Sequence, residues 1–422
     1  MNIKINHFGA DDTGRAPRQS SLWLRSVFPV LFFVLLQTQP AFAQAQEEVL
    51  EVTLGMSTAL TGPAADLGKN MLQGVNAGLD RANRGEGVQR KYRIKVIALD
   101  DGYEPMRTVP NMRQLIEENE VLAVIGNVGT PTAIAAIPIA NASKTLFFAP
   151  FTGAGVLRKT PPDRYIINYR ASYAEETAAM VEALIKHAGL APEEIAFFTQ
   201  RDGYGDAGYI GGITALKRHG LKDANRVVHA RYERNTLTVE SALADIVLAE
   251  PSPRAIIMVG AYAPCAKFIK MAAEAGISSL YLNVSFVGSI SLARELGKSE
   301  EGVIVTQVVP HPADTSLALV RDYQADLRHS HPKAVPSFGS LEGYIAARIF
   351  VKALENISGT PSRESIIDAI ERLGSFDIGL GEPLKLSAEE HQASHRIWPT
   401  ILRDGEFVPL HWPEIRTMIK RG

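Results

Sequence analysis

The sequence has 422 residues and a nearly balanced charge, with 44 lysines and arginines against 46 aspartates and glutamates, for a net charge of −2. That balance provides no basic field of the kind that nucleic acids or anionic membranes attract. The length is too great for one core and predicts two domains of ordinary size. The single cysteine, Cys265, excludes an intrachain disulfide.

The first 43 residues have the pattern of a secretory signal peptide. Basic residues, the last of them Arg25, precede an apolar run over residues 27–36, and an Ala-Phe-Ala tripeptide follows that ends at Ala43. The apolar run is too short for a membrane-spanning helix, which needs about 20 residues. We therefore predict residues 1–43 as a signal peptide cleaved after Ala43 and a periplasmic location. An uncleaved anchor is the alternative.

Strands and helices alternate along the chain, which predicts an α/β fold with parallel sheets and right-handed crossovers. Strands separated by helices are predicted first at residues 51–58, 92–99, 121–126 and 146–148. A second series of the same kind follows at residues 195–199, 227–232, 255–259 and 280–282. Around Asp404-Gly405, two further apolar segments predict a β-hairpin. Two lobes of similar design are expected from this pattern.

Several predicted strands end in loops of small and hydroxyl-bearing residues. Thr130-Pro131 is a strong helix start, because threonine can cap free amides and proline lacks the N–H that would go unpaired. Thr152-Gly153 follows the next strand. Ligands of open α/β sheets bind beyond the carboxyl ends of the strands, where a helix N-terminus suits a carboxylate. The alternative is that Gly126, Gly129 and Gly153 only turn the chain.

No stretch carries a convincing catalytic or metal-binding pattern. Residues 62–70 look like a phosphate loop, but five residues separate the glycines where four are needed, and Asn70 stands where Ser or Thr must bind magnesium. His391 and His395 would share a face for zinc only on a helix, and the residues between them favour a solvated turn. We therefore expect no metal, no cofactor and no enzymatic activity.

Short motifs follow the predicted strands in a fixed order. They are Leu60-Thr61-Gly62-Pro63, Asp100-Asp101, Ile125-Gly126, Pro150-Phe151-Thr152-Gly153, Tyr204-Gly205, Gly260-Ala261-Tyr262 and Ala275-Gly276. In this order the chain resembles the periplasmic solute-binding proteins of ABC transporters, of the branched-chain amino acid (Leu/Ile/Val)-binding type. The resemblance implies an α/β fold of two Rossmann-like lobes with parallel sheets joined by three crossing strands, the type I periplasmic binding fold. The crossings fall near residues 170, 306 and 383. Lobe one then comprises 49–169 plus 310–382, and lobe two 170–305 plus 383–422.

The resemblance also implies which residues of lobe one contact a ligand held between the lobes. Thr130 and the Val128-Gly129 backbone match the carboxylate-binding loop. Thr152 and Gly153 fall where the second loop meets the polar head of the ligand. Leu67 lies where an aromatic side chain often lines the pocket.

In lobe two, Tyr204 and Tyr262 match the contacts made when the lobes close. Ser285 stands where amino-acid binders of this family carry an acid that pairs with the ligand's ammonium. A buried cation without a counter-charge is costly. An amide or carboxylate ligand without a free amine is therefore expected, unless Asp66, Asp202 or another acid takes that role.

The sequence thus predicts an exported, non-enzymatic binding protein. It would capture a small polar solute (an amino acid, an amide or a small carboxylate) and deliver it to an ABC transporter membrane permease. We expect a monomer that binds no nucleic acid. One alternative is a periplasmic ligand sensor that docks on a signalling receptor, and another is a secreted hydrolase with an unrecognised site. The identity of the solute does not follow from the sequence.

Overall fold

The computed structural model describes residues 49–85, 91–297 and 301–419, and two largely parallel sheets organise this part of the chain. The predicted signal peptide, with its cleavage after Ala43, lies outside the described residues. Within these ranges, no helix has the length and apolar character needed to cross a membrane.

The first sheet contains five parallel strands in the order β2-β1-β3-β4-β5. The strands are β1 (Leu50–Thr58), β2 (Tyr92–Asp100), β3 (Ala123–Ile125), β4 (Leu146–Phe148) and β5 (Ile166–Ile167). Every residue of β3 and β4 is buried, as expected for apolar strands covered by helices on both faces of a parallel sheet.

Helices from two distant parts of the chain pack with the first sheet. They include α1 (Ala65–Asn83), α2 (Pro105–Arg113), α3 (Thr130–Ala142), α9 (Ala318–Ser330), α10 (Phe338–Leu354) and α11 (Arg363–Glu371). A β-carbon on Gly74 of α1 would lie 1.8 Å from the Ser340 carbonyl oxygen of α10, so glycine lets these two helices touch through their backbones. The close packing fixes α10, which carries part of the site.

The second sheet contains seven strands in the order β14-β13-β10-β9-β8-β6-β7. The strands are β6 (Ile195–Gln200), β7 (His229–Tyr232), β8 (Ala255–Val259), β9 (Leu280–Asn283), β10 (Ile304–Gln307), β13 (Trp398–Arg403) and β14 (Glu406–Pro409). β6 to β10 pair in parallel, whereas β13 and β14 form the predicted antiparallel hairpin. The associated helices are α4 (Tyr173–Lys186), α5 (Gly203–Arg218), α6 (Glu240–Val247), α7 (Tyr262–Glu274) and α8 (Ser289–Leu296).

The chain passes between the two sheets three times: after β5, after β10 and before β13. The first and third crossing segments pair with each other, because the Asn168 amide donates to the His391 carbonyl at 2.7 Å and the Ala393 amide donates to the Asn168 carbonyl at 3.0 Å. The predicted fold of two Rossmann-like lobes joined by three crossing strands is thereby confirmed. The residue limits of the two lobes stay predictions.

Some elements differ from the sequence prediction. Helix α8 was missed, as was a small antiparallel pair of strands, β11 (Gly374–Phe376) and β12 (Leu384–Leu386). The solvated turn predicted between His391 and His395 is wrong, because residues 391–394 are all buried. His391 is 6% exposed, and its ring nitrogens lie 2.9 Å from the Ile166 carbonyl oxygen and 3.2 Å from Glu371. His395 is exposed, and the described residues contain no cluster of side chains suited to a metal ion.

Candidate functional site

Arg170, directly after the first crossing segment, is fully buried between the two sheets. Its guanidinium donates a hydrogen bond to Ser285 Oγ. It also lies 3.5 Å from a carboxylate oxygen of Glu176 on α4 and 3.7 Å from one of Glu342 on α10. We call Arg170, Glu176 and Glu342 the buried charge cluster. Arg170 and Glu176 belong to one stretch of the chain and Glu342 to α10, which packs with the first sheet, so the cluster exists only when the two halves of the fold are together.

Glu176 has its hydrogen-bonding capacity well satisfied. Its carboxylate accepts from the Ser285 amide at 2.8 Å, from Ser285 Oγ at 2.9 Å and from Thr306 Oγ1 at 2.6 Å. Burial raises the pKa of Glu176, and the Arg170 charge and these hydrogen bonds act in the opposite direction. Ser285 is therefore hydrogen-bonded to an acidic side chain, Glu176 of helix α4, and is not the only polar side chain in this part of the site.

Glu342 is less well satisfied. Burial raises the pKa of Glu342 to about 7, while the Arg170 charge opposes the rise. The ion pair with Arg170 is long, and no described group donates a hydrogen bond to the Glu342 carboxylate. Glu342, Ser285, Leu67, Asn70 and Gln307 help to line a cavity of about 20 Å³, which we call the inner cavity. A space of that size holds about one water molecule, so this conformation has no room for a solute there.

Two nitrogens of Arg170, Nε and Nη1, have no hydrogen-bond partner among the described residues. The guanidinium carbon instead lies 4.8 Å from the centre of the Phe151 ring and 5.8 Å from that of Tyr173, within the range of cation–π attraction. A ring face compensates a buried cation only partly, because it does not accept a hydrogen bond as an oxygen does. Arg170 therefore keeps donor capacity that an oxygen acceptor could use.

Aromatic side chains from both sheets meet beside the charge cluster, with Phe286 at their centre. Phe286 is fully buried, with ring centroids 5.4 Å from Phe151, 5.9 Å from Tyr103 and 4.6 Å from Tyr204. Tyr103 and Phe151 follow strands of the first sheet, whereas Tyr204 and Phe286 belong to the part of the chain that builds the second. Together with Tyr173, whose ring lies 5.2 Å from Tyr204, we call these side chains the aromatic cluster.

Thr130 and Thr152 lie together, but not as the sequence predicted. Their hydroxyl oxygens are 2.6 Å apart, and both side chains are buried. Helix α3 begins at Thr130 as expected, yet no side chain caps it, so the predicted capping role of Thr130 is wrong. The Thr130 hydroxyl is instead hydrogen-bonded to the Thr152 hydroxyl, which also accepts a hydrogen bond from the Ala154 amide at 3.3 Å. The pair links the ends of two neighbouring strands.

The backbone groups of Val128, Gly129 and Gly153, which were predicted beside these threonines, pair with other backbone groups of the protein. The Gly129 amide donates to the Phe151 carbonyl at 3.2 Å, and Val128 forms a parallel bridge to Phe151. The Gly153 carbonyl accepts from the Tyr173 amide at 2.8 Å. Gly129 has φ of 104°, and a β-carbon there would lie 2.1 Å from the Tyr103 ring. These residues shape the wall of the site, and their contact with a solute stays a prediction.

Leu67 and Tyr262 approach each other across the two halves. A β-carbon on Gly288 would lie 2.6 Å from Leu67 Cδ2 and 3.6 Å from Tyr262 Cδ1, so all three are neighbours. Tyr262 is the first residue of α7, whereas the sequence placed it in a loop. The Tyr204 hydroxyl donates to the Gly260 carbonyl at 3.2 Å, so Tyr204 is anchored within its own half.

The predicted binding residues do not share one pocket. Leu67 and Ser285 line the inner cavity. Thr130 instead lines an open pocket of about 360 Å³, together with the exposed side chains of Ile134 and Ile210. Tyr204 belongs to the aromatic cluster, and residues 128, 129, 152 and 153 adjoin its members Phe151, Tyr103 and Tyr173, whereas Tyr262 lies beside Leu67.

Ion pairs between the halves flank the site. Glu104 pairs with Arg234 at 2.7 Å, and on the other side Asp66 pairs with Arg294 at 2.7 Å. Asp202 lies 3.2 Å from Arg234 and also accepts from the Tyr204 amide. The two acids named from the sequence as alternatives to Ser285 are therefore engaged elsewhere.

Sequence reasoning missed Glu176, Glu342 and Phe286, and it identified Arg170 only as a crossing point. A signal for Glu342 was present, since the single acid of helix α10 falls among Leu341, Tyr344 and Ile345. An unpaired acid in such a run must find a buried partner.

Comparison with known proteins identifies the family of the chain. The sequence profile of the family described as Periplasmic binding protein matches residues 51–406. The Leu/Ile/Val-binding protein homolog 7 of Brucella suis is 24% identical over 351 residues, which cover 77% of this chain and 82% of that protein. A crystal structure of a possible leucine/isoleucine/valine-binding protein from Rhodopirellula baltica is 52% identical, with a TM-score of 0.85, and the match covers 88% of this chain and 99% of that one. A branched-chain amino acid ABC transporter protein from Thermus thermophilus with bound valine has a TM-score of 0.75 at 18% identity, over 87% of this chain and 99% of that one. The chain belongs to the periplasmic binding protein family, whose members bind solutes.

Proposed function

We propose that this chain is the exported substrate-binding component of an ABC transporter. It captures a small polar solute (an amino acid, an amide or a small carboxylate) between its two lobes and delivers it to a membrane permease. The names of its relatives, Leu/Ile/Val-binding homologues and a valine-bound transporter protein, support this solute class. The predicted signal peptide, cleaved after Ala43, supports export.

The buried charge cluster is the observation that carries the proposal. Burying three ionised groups costs free energy that ion pairing rarely recovers, so such a cluster adds little to stability by itself. This cluster also leaves Arg170 Nε and Nη1 without hydrogen bonds, and Glu342 faces a cavity. Polar groups kept incompletely paired between two halves of a protein suit a ligand that completes the pairing.

The size of the inner cavity supports a mechanism with two conformations. About 20 Å³ does not admit even a small amino acid, so the halves must separate for loading and close again around the solute. The predicted contacts are Val128, Gly129, Thr130, Thr152 and Gly153 from lobe one, with Leu67, and Tyr204, Tyr262 and Ser285 from lobe two.

A thermal-shift screen of the mature chain with leucine, glutamate, urea, short amides and aromatic acids tests the proposal. A solute that raises Tm is then followed by small-angle scattering, where we expect a smaller radius of gyration on binding. Thr130→Ala should weaken binding, and Thr130→Ser, which keeps the hydroxyl, serves as the matched control. A solute that raises Tm while the scattering curve stays unchanged contradicts capture between lobes. Uptake into proteoliposomes that contain the permease tests delivery.

A further inference from the structure

Arg158 lies just beyond the loop that carries two of the predicted contact residues, Thr152 and Gly153. We call residues 149–154 the β4 loop, because they come directly after that strand. The half-buried Arg158 side chain folds back over this loop, where its Nη1 donates to the Ala154 carbonyl at 3.0 Å and its Nη2 to the Thr152 carbonyl at 3.3 Å. No other described group donates a hydrogen bond to the Thr152 carbonyl, so the conformation of the loop depends on Arg158.

The same guanidinium also reaches two of the segments by which the chain passes between the sheets. Its Nη2 donates to the Arg170 carbonyl at 2.9 Å, directly after the first crossing, and its Nε donates to Gln392 Oε1 at 2.6 Å, in the third. No other described group donates to the Arg170 carbonyl. One planar side chain thus ties the β4 loop to two of the three segments about which the lobes would turn.

Gln392 extends these contacts into the other half of the fold. It is 6% exposed, and its Nε2 donates to a carboxylate oxygen of Glu175 at 2.9 Å. Glu175 lies in the first turn of α4, where it accepts from the Ser172 amide at 2.6 Å in a capping box, and its second oxygen lies 2.6 Å from the exposed His395. Hydrogen bonds therefore run without a break from the β4 loop through Arg158 and Gln392 to the start of α4. We call this series of contacts the hinge network.

Charge alone does not account for the position of Arg158. Its four hydrogen bonds all go to neutral oxygens, three of them backbone carbonyls and one a side-chain amide. Burial lowers the pKa of Arg158 to about 10, and the neighbouring charge of Arg170 acts in the same direction. The charges of Glu175 and Glu342 oppose this shift. A second cation beside Arg170 costs free energy, and what arginine offers in return is a rigid fork of donors that lysine lacks.

We propose that Arg158 is a positioning residue of the solute site: its guanidinium holds the β4 loop in a fixed place relative to the hinge, so that the lobe-one half of the site is formed before a solute arrives. This inference rests on the proposed function, since it assigns a role within the same site. A preformed half-site favours binding, because less conformational freedom is lost when the solute is bound.

Hydrogen–deuterium exchange of the mature chain without solute tests the inference. Mass spectrometry follows peptides that cover the β4 loop, residues 391–396 and β8, and β8 reports on global unfolding because all of its residues are buried. Arg158→Met removes the donors at similar side-chain length. We expect it to accelerate exchange in the β4 loop and in residues 391–396 by at least about tenfold more than in β8. Lys159→Met is the matched control, because the neighbouring Lys159 side chain is 51% exposed and pairs only with Asp163.

Two further variants separate geometry from charge and trace the hinge network. Arg158→Lys keeps the positive charge but not the fork, and its β4 loop should exchange nearly as fast as that of Arg158→Met. Gln392→Met removes the partner of Arg158 on the third crossing. It should accelerate exchange of the β4 loop in the parent and add nothing in the Arg158→Met background, because its effect on the loop passes through Arg158.

Three results would overturn the inference. They are equal acceleration of the β4 loop and β8 in Arg158→Met, full protection of the loop in Arg158→Lys, and additive effects of Arg158→Met and Gln392→Met on the loop. If Arg158→Met does not fold, Gln392→Met decides alone, because it leaves Arg158 in place. Faster exchange of the β4 loop relative to β8 in that variant supports the inference, and an unchanged loop overturns it.

Solute binding provides a second and separate outcome. Leucine, glutamate, urea, short amides and aromatic acids are tested by thermal shift, and any of them that raises the Tm of the parent is measured by calorimetry. It should bind Arg158→Met at least about tenfold more weakly than the parent and Lys159→Met. Equal affinity would overturn the inference and leave the proposed function standing. If no member of the panel raises the Tm of the parent, the proposed function fails, whereas the exchange measurements still decide whether Arg158 positions the β4 loop.

Discussion

The raised pKa of Glu342 makes the stability of the protein depend on pH in a defined direction. Burial moves this pKa from an ordinary 4.5 to about 7, with the Arg170 charge acting against the rise. The folded state therefore binds the Glu342 proton more tightly than the unfolded state does. The resulting stabilisation is fully present below about pH 4.5 and is lost as pH rises to about 7.

The size of this effect follows from the interval between the two pKa values. Each pH unit in the interval corresponds to roughly 1.4 kcal/mol, so the loss between pH 4.5 and pH 7 amounts to about 3 kcal/mol. Glu342 is 3% exposed, so screening by water does not reduce this figure much. Glutamine has the same shape and cannot ionise, and Glu342→Gln should therefore remove this part of the pH dependence.

Urea denaturation at about pH 5 and about pH 8 measures the effect. The free energy of unfolding of the parent should fall relative to that of Glu342→Gln by up to about 3 kcal/mol between the two conditions. Glu117→Gln is the control, because Glu117 is exposed and should leave the profile of the parent unchanged. Identical pH profiles for the parent and Glu342→Gln would refute the reasoning.

Three further predictions concern other parts of the fold. Gly129→Ala should lower the free energy of unfolding in urea by at least about 2 kcal/mol, because the new β-carbon would lie 2.1 Å from the Tyr103 ring at a φ of 104°. Gly155→Ala is the control, because its β-carbon would meet nothing within 4 Å. Equal losses of stability in the two variants would contradict this prediction. The Cys265 thiol is fully buried, and burial raises its pKa. A thiol reagent should therefore modify Cys265 in the urea-unfolded protein and not in the native protein. Rapid reaction of the native protein would disprove the burial. Glu104→Gln breaks a partly exposed ion pair between the halves. It should change the free energy of unfolding by less than about 1 kcal/mol but enlarge the radius of gyration measured by scattering. An unchanged radius would rule out a role of this ion pair in closure.

Local sequence patterns predicted most strands because a buried strand of a parallel sheet needs little besides a short apolar run. Ala255–Val259 shows this, since all of its residues are apolar and buried. The hairpin around Asp404-Gly405 was predictable for a similar reason, because the turn requires residues that adopt positive φ, as both do. Helix α8 was not predictable in this way, because it is short and begins beside Gly288, whose left-handed backbone is invisible in the sequence.

The buried charge cluster could not be predicted, because its contacts depend on how distant segments pack. Glu176 meets Ser285 across 109 positions of the sequence, and Glu342 reaches Arg170 from α10, a helix that packs against α1. The resemblance to a family drew attention to Ser285, which contacts Arg170 and Glu176 of the cluster. It did not reveal the acids around it. Glu176 follows Glu175 in the first turn of α4 and looks like an ordinary surface residue, and the apolar neighbours of Glu342 indicate burial without identifying its partner.

The unmet donors of Arg170 decide how a solute could control closure. A solute shifts an equilibrium between open and closed forms only by the difference in its affinity for the two. In the closed form, Arg170 already pairs with Glu176 and Ser285, so a solute gains nothing by replacing these contacts. The gain must come from groups that closure leaves without hydrogen bonds, namely Arg170 Nε and Nη1 and the Glu342 carboxylate, whose mutual ion pair is long. Because Arg170 and Glu342 face each other only across the closed site, a solute that pairs with both would favour closure, whereas one that pairs with neither would bind without closing the lobes.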